Sequence, residues 1–137
     1  MKIMMLVTVL AFTLMLAGCC SWCCGKKADQ TTPGSVKKLT TPEMLSAVKD
    51  PAVTVIDARG KVEGMEMIPG ALPLSYQAGD QVILDTLKDK NARILTYCAN
   101  THCTASPQLA QRLVKLGYTN VSEYPEGIAG WKNATTK

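Results

Sequence analysis

The sequence has little of what would place it in several common classes. Its 15 lysines and arginines are scattered against 11 acidic residues, and no basic stripe with interleaved aromatics appears, so nucleic acid is not an expected partner. Six cysteines are too few for a disulfide scaffold. The net charge of +4 is too low, and the apolar fraction of 47% too high, for a disordered chain. The 137 residues therefore indicate one ordinary globular domain.

Charge is nearly absent from the amino-terminal segment. Lys2 is the only charged side chain before Lys26, and residues 3–16 are apolar except for two threonines. This run is shorter than the about 20 apolar residues that span a bilayer, so it indicates a secretory signal. The following Leu16-Ala17-Gly18-Cys19 resembles the lipobox of bacterial lipoproteins. That resemblance implies cleavage before Cys19 and diacylation of its thiol; an ordinary cleavable signal or an uncleaved anchor is the alternative.

We therefore expect residues 1–18 to be a lipoprotein signal peptide and residues 19–36 to be a lipidated cysteine followed by a polar tether. The protein would be anchored to a membrane of the bacterial cell envelope and would face the periplasm or the cell exterior, where conditions are oxidising. Three roles remain open for the neighbouring cysteines at 20, 23 and 24: further acylation, disulfide formation or ligation of a soft metal ion.

Residues 37–137 alternate strand and helix patterns. A short, β-branched apolar run predicts a buried strand at 53–56, and further short strands are predicted at 71–74, 93–97 and 121–124. A helix is predicted to begin with Thr41 as N-cap and Pro42 at its first position, and another covers residues 80–88. Ser106 as N-cap predicts a third helix, which Gly117 ends. This alternation is typical of a parallel α/β sheet covered by helices, where functional residues gather at the carboxyl ends of strands.

Cys98 is the candidate nucleophile, because it directly follows the strand at 93–97. A thiol attacks only as a thiolate, and loop amides together with the positive end of the next helix lower the pKa of a cysteine at such a position. We therefore expect the loop amides to surround its sulfur. A buried structural cysteine is the alternative. The active-site loop is formed by small and polar residues: Ala99, Asn100, Thr101, His102, Cys103 and Thr104.

Several stretches resemble the rhodanese-like sulfurtransferase family in order and spacing. They are Val55-Ile56-Asp57-Ala58-Arg59, Ile68-Pro69-Gly70-Ala71, Leu95-Thr96-Tyr97-Cys98, Gly117-Tyr118-Thr119-Asn120-Val121 and Gly127-Ile128-Ala129-Gly130-Trp131. The resemblance, to a single-domain rhodanese-like lipoprotein, implies a small five-stranded parallel sheet flanked by helices. It also implies a catalytic Cys98 persulfide, which takes sulfane sulfur from thiosulfate, a polysulfide or a persulfide and passes it to a thiol, cyanide or an acceptor protein. No cofactor and no metal is expected.

The resemblance also assigns supporting roles. Asp57 and Arg59 match the structural acid and base of the family, and Glu63 stands where an acidic partner of Arg59 is usual, so we expect ion pairing rather than catalysis. The loop departs from the family pattern, since it lacks arginine and is longer than usual. That departure argues against a phosphatase and against thiosulfate as the natural donor. Met67 also replaces a common histidine, and Glu126 replaces a glycine.

Two loop residues leave alternatives open. Cys103 could be a resolving thiol, which forms a disulfide with Cys98 and releases sulfide from its persulfide, or a passive neighbour. His102 could keep either thiol deprotonated or could simply face solvent. The second function class is therefore a thiol–disulfide redox or protein-binding module that uses Cys98 and Cys103.

Overall fold

The computed structural model describes residues 35–61 and 63–136. The predicted signal peptide, the predicted lipidation site Cys19 and the cysteines at 20, 23 and 24 lie outside these residues. Within the described ranges, no helix is both long enough and apolar enough to cross a bilayer.

Five parallel strands form one sheet, in the order β1-β5-β4-β2-β3. The strands are β1 (Lys37–Lys38), β2 (Val53–Asp57), β3 (Leu72–Pro73), β4 (Arg93–Tyr97) and β5 (Val121–Tyr124). The predicted five-stranded α/β fold is confirmed. Strand β1 was not among the strands predicted from apolar runs, because its two residues are both lysines.

Four helices accompany the sheet: α1 (Thr41–Ala47), α2 (Asp80–Thr86), α3 (Ala105–Lys115) and α4 (Gly127–Thr135). The predicted N-cap of α1 is wrong by one residue. Thr40 is the cap, because its backbone N–H and its hydroxyl both donate to the Glu43 carboxylate at 2.8 Å. The Thr41 hydroxyl is instead engaged with the phenol of Tyr124, at 2.9 Å.

The predicted N-cap of α3 is also wrong. Thr104 takes that position, and Ser106 lies in the first turn of the helix, where it is fully buried. The predicted end of α3 is confirmed, since Gly117 adopts a φ of 90° and its N–H donates to the carbonyl of Val114. Helix α4, which begins at Gly127, was not predicted as a helix.

Successive residues of the central strands point to opposite faces of the sheet. Ile56 and Ile94 pack with α2 and α3, whereas Val55 and Leu95 pack with α1 and α4. Both faces are therefore buried. The register then aligns the carboxyl ends of three strands, because Asp57 pairs with Tyr97 and Tyr97 with Tyr124.

Candidate active site

Cys98 follows β4 directly and is fully buried. The start of α4 fastens the base of its loop, because Ile128 N–H donates to the Cys98 carbonyl at 2.9 Å and Ala129 N–H to the Ala99 carbonyl at 3.1 Å. Gly127 makes this approach possible: its φ is 59°, and a Cβ there would collide with the Cys98 carbonyl oxygen. Glu126, with a φ of −69°, needs no such freedom, which explains how glutamate can replace a glycine there.

The sulfur of Cys98 contacts carbonyl and hydroxyl oxygens, whereas loop amides were expected around it. It donates to the carbonyl oxygen of Cys103 at 3.4 Å and, more weakly, toward that of Asn100 at 3.9 Å, and it lies 3.3 Å from the hydroxyl oxygen of Ser106. Burial and the contact with Cys103 raise the pKa of the Cys98 thiol, while hydrogen bonds from Ser106 oppose the rise. Carbonyl oxygens of the loop therefore lie where loop amides were expected, and the prediction that loop amides surround this sulfur is wrong. The predicted contribution of the following helix is present, because the backbone amide of Ser106, in the first turn of α3, is hydrogen-bonded to the sulfur.

Cys103 receives the hydrogen bonds that were expected at Cys98. Partial burial by itself would raise its pKa, but hydrogen bonds from the Cys98 thiol and from the amides of Ala99 and Ala105 outweigh burial and lower it. The positive charge of Arg59 acts in the same direction. Both cysteines are free thiols, and the negative charge is favoured on Cys103.

Behind Cys98 lies a buried polar pair that the sequence analysis missed. The Ser106 hydroxyl donates to Glu123 Oε1 at 3.1 Å, and these residues are 0% and 5% exposed. Glu123 belongs to β5, and its signal in the sequence was a carboxylate inside a strand predicted to be buried. Because buried carboxylates are rare without partners, a glutamate at this position of the strand is the sequence signal for a candidate functional residue.

A cavity of about 720 Å³ opens beside the loop. Cys103 lines it and Cys98 does not; its wall includes Lys38, Lys115, Glu123 and the apolar residues Val36, Pro107, Val114 and Pro125. Thr101, His102 and Thr104 contribute the loop side of the wall. The size suits an organic ligand of low molecular weight.

The side chain of His102 is exposed. Its backbone N–H donates to the side-chain oxygen of Asn100 at 3.0 Å, which shapes the loop. Among the described residues, no hydrogen bond joins the imidazole to Cys98 or Cys103. The arrangement favours the solvent-facing alternative for His102.

Asp57 and Arg59 form an ion pair at the end of β2, and their side chains are 0% and 12% exposed. The Arg59 Nε and Nη2 atoms donate to the two carboxylate oxygens of Asp57 at 2.9 and 2.6 Å, and Nη2 also reaches the Glu66 carbonyl at 2.9 Å. The hydrogen bond to Asp57 raises the pKa of the guanidinium. The expectation that Glu63 pairs with Arg59 is wrong: Glu63 is exposed, and Asp57 satisfies the guanidinium instead.

Comparisons with known proteins agree with this fold. The family described as Rhodanese-like domain matches residues 40–134. No curated protein matches the chain. Similar solved structures include a Saccharomyces cerevisiae protein, with 17% identity and a TM-score of 0.60 over 74% of this chain and 94% of that one. The BH2092 protein of Bacillus halodurans is 21% identical, with a TM-score of 0.59 over 74% of this chain and 73% of that one. The rhodanese-like domain of the Anabaena protein Alr3790 is 24% identical, with a TM-score of 0.56 over 73% of this chain and 74% of that one.

Proposed function

Since this chain belongs to the rhodanese-like domain family, we propose that it is a sulfurtransferase whose Cys98 carries sulfane sulfur as a persulfide. The observation that carries the proposal is the placement of Cys98. Its sulfur lies at the carboxyl end of the central strand β4, in a loop fastened by α4, with a second thiol in contact. A nucleophile held in a fixed loop at the edge of a parallel sheet suits covalent group transfer.

The proposed cycle has two displacements. The Cys98 thiolate attacks the outer sulfur of a donor R–S–SH, so that a new S–S bond forms and R–S⁻ leaves with the electron pair of the old one. An acceptor such as cyanide then attacks the outer sulfur of the Cys98 persulfide anion; thiocyanate forms and the Cys98 thiolate is released. The amides of Ala99 and Ala105, which already face Cys103, are positioned to stabilise negative charge in the loop.

The cavity indicates which donors suit the site. It is far larger than a thiosulfate ion needs, and its wall combines apolar residues with Lys38 and Lys115. The loop carries no arginine that could bind a sulfonate group bidentately. We therefore propose a polysulfide or an organic persulfide bearing negative charge as the donor, in preference to thiosulfate.

The location of this activity is part of the proposal. Lipid at Cys19 would hold the domain on a bacterial membrane, facing the periplasm or the cell exterior. In that oxidising compartment a thiol-reducing partner would be needed to keep Cys98 reduced. The acceptor would then be a thiol or an acceptor protein.

The test uses the full chain, reduced and then exposed to a polysulfide or to thiosulfate, with peptide mass mapping before and after cyanide. We expect one sulfur atom on the Cys98 peptide, removed by cyanide, and faster loading from polysulfide. Cys98→Ser abolishes the gain, and Cys103→Ser is the matched control that keeps a sulfur-loaded Cys98. Absence of sulfur on Cys98 with both donors would overturn the proposal.

A thiol–disulfide module is the second candidate, and the contact between the two free thiols favours it. In such a module the Cys103 thiolate would attack Cys98 Sγ in a mixed disulfide between Cys98 and a substrate thiol; the Cys98–Cys103 bond would form as the mixed disulfide breaks, and the substrate thiolate would leave. The same mapping separates the two functions. Ready loss of two hydrogens between Cys98 and Cys103, with no sulfur gain from any donor, would favour the redox module.

A further inference from the structure

The proposed cycle leaves a proton to be accounted for. Cys98 is fully buried and faces the carbonyl oxygen of Cys103, so the resting sulfur is held as a thiol. Nucleophilic attack requires this proton to leave. The thiolate of Cys103 is a poor acceptor, because hydrogen bonds from the amides of Ala99 and Ala105 stabilise its charge. The proton needs another destination.

The structure shows one continuous route. Cys98 Sγ lies 3.3 Å from Ser106 Oγ, and Ser106 Oγ donates to Glu123 Oε1 at 3.1 Å. A serine hydroxyl carries a single proton, so while it donates to Glu123 its oxygen can only accept from Cys98. The Cys98 thiol likewise carries a single proton, which points either to the Cys103 carbonyl or to Ser106 Oγ. When it points to Ser106, the hydrogen bonds of this chain run from the sulfur toward the carboxylate.

We propose that Glu123, acting through Ser106, is the general base that removes the proton of Cys98 as its sulfur attacks. This inference rests on the proposed function, for which it supplies the proton route. The S–H bond of Cys98 breaks as a new O–H bond forms on Ser106, and the original Ser106 proton passes to Glu123 Oε1. One negative charge thereby moves from the carboxylate to the sulfur. The reverse transfer returns the proton when an acceptor removes the sulfane sulfur.

Burial supports this role over a purely structural one. Ser106 and Glu123 are 0% and 5% exposed, so little of the route contacts solvent, and what does is the edge of Glu123 that lines the cavity. Within residues 35–61 and 63–136, no ion pair neutralises Glu123. Among the described residues, its only side-chain hydrogen bond is the one from Ser106, which links the carboxylate to the Cys98 sulfur.

Several other charged or titratable groups lie around Cys98 and Glu123 and contribute to the pH dependence of Cys98 reactivity. Cys103 contacts Cys98, and Arg59 acts on Cys103. Lys38 and Lys115 line the cavity that Glu123 also lines, together with His102. A background of Cys103→Ser removes the neighbouring thiol, so that the pH profile of Cys98 can be measured without its titration.

The test is the rate of Cys98 alkylation by iodoacetamide in the full chain, followed by peptide mapping between pH 5 and pH 10. With Glu123 present, we expect a rate that changes little with pH around neutrality, because the base takes the proton during attack. Glu123→Gln keeps an oxygen acceptor for Ser106 but cannot take the proton. We expect its rate to be about 100-fold lower at pH 7 and to rise about tenfold with each pH unit, as free thiolate forms.

Controls separate this role from a loss of packing. Asp85→Asn removes one exposed carboxylate from α2 and should leave the profile unchanged. Ser106→Ala should reproduce the change of slope, and Ser106→Thr, which restores the hydroxyl, should reverse it. These serine variants decide the matter if Glu123→Gln does not fold. An unchanged slope in folded Glu123→Gln, or an equal rate loss at every pH, would overturn the proposal.

Alkylation needs no sulfur donor, so the two proposals can fail separately. A changed slope together with no sulfur on Cys98 from any donor would uphold the proton route and overturn the sulfurtransferase. Sulfur loading of Cys98 together with an unchanged slope of alkylation rate against pH would uphold the sulfurtransferase and overturn the proton route.

Discussion

The carboxyl ends of β2 and β4 lie side by side, since Asp57 pairs with Tyr97 in the sheet, yet they carry different kinds of chemistry. At the end of β2, the charges of Asp57 and Arg59 neutralise each other through two short hydrogen bonds. At the end of β4, the Cys98 thiol makes weaker hydrogen-bonding contacts with the carbonyl of Cys103 and the hydroxyl of Ser106. Its proton can point to either oxygen.

The difference shows what distinguishes a structural site from a reactive one at the same sheet edge. An ion pair satisfied on both sides fixes the backbone, and any proton or ligand that disturbed it would leave a buried charge. The buried Cys98 thiol instead lies beside a carbonyl, a second thiol and a hydroxyl that is hydrogen-bonded to a carboxylate, so groups that can exchange its proton are within contact. Reactivity is therefore expected after β4, and rigidity after β2.

The largest expected effect tests this division directly. Asp57→Ala should lower the free energy of unfolding by about 3 kcal/mol, because it leaves the Arg59 guanidinium without its partner. Cys98→Ser should cost about 1 kcal/mol, since its hydroxyl can still donate to the Cys103 carbonyl, while sulfur loading is lost. Urea unfolding of both variants, followed by loading of the folded protein, measures the two effects. Loading lost in folded Asp57→Ala would show that the division is wrong.

The strands of this edge could be predicted from the sequence, but their contacts could not. Continuous apolar runs such as residues 53–56 predict buried strands, because both faces of a parallel sheet are covered. The order of the strands decides which carboxyl ends meet, and no local pattern contains it. The five-stranded fold therefore came from the family resemblance, whereas the pairing of Arg59 with Asp57 needed the structure.

The helix starts show a second limit. Thr40, Thr41, Thr104 and Ser106 all suit an N-cap, so local preference leaves the start uncertain by one or two residues. Tertiary contacts decide which residue begins the helix. Ser106 lies within α3, where its hydroxyl donates to Glu123, 17 residues along the chain, and so does not cap the helix. The proton route was hidden from sequence analysis for the same reason. The sequence identified Cys98, but it could not show what receives its proton.

An intermediate effect concerns the two thiols. The raised pKa of Cys98 means that its thiolate forms at higher pH than that of an ordinary cysteine, and the lowered pKa of Cys103 means the reverse. In Glu123→Gln, where the proposed base is absent, iodoacetamide should therefore modify Cys103 several-fold faster than Cys98 at neutral pH, with the difference in rate narrowing as pH rises. Peptide mapping of the full chain over pH measures both rates. Faster modification of Cys98 near pH 6 would place the negative charge on the wrong sulfur and contradict the assignment.

The smallest expected effect sharpens the account of the β2 end. Glu63 is exposed, and the guanidinium of Arg59 is already bound by Asp57 and the Glu66 carbonyl. Glu63→Gln should therefore change the free energy of unfolding by less than about 0.5 kcal/mol, as is usual for exposed positions without specific contacts. Urea unfolding beside Asp57→Ala gives the comparison, since both variants remove one negative charge within four residues of Arg59 along the chain. A loss comparable with that of Asp57→Ala would mean that both carboxylates hold Arg59, and that the rigidity of this corner depends on the loop as well as on the strand.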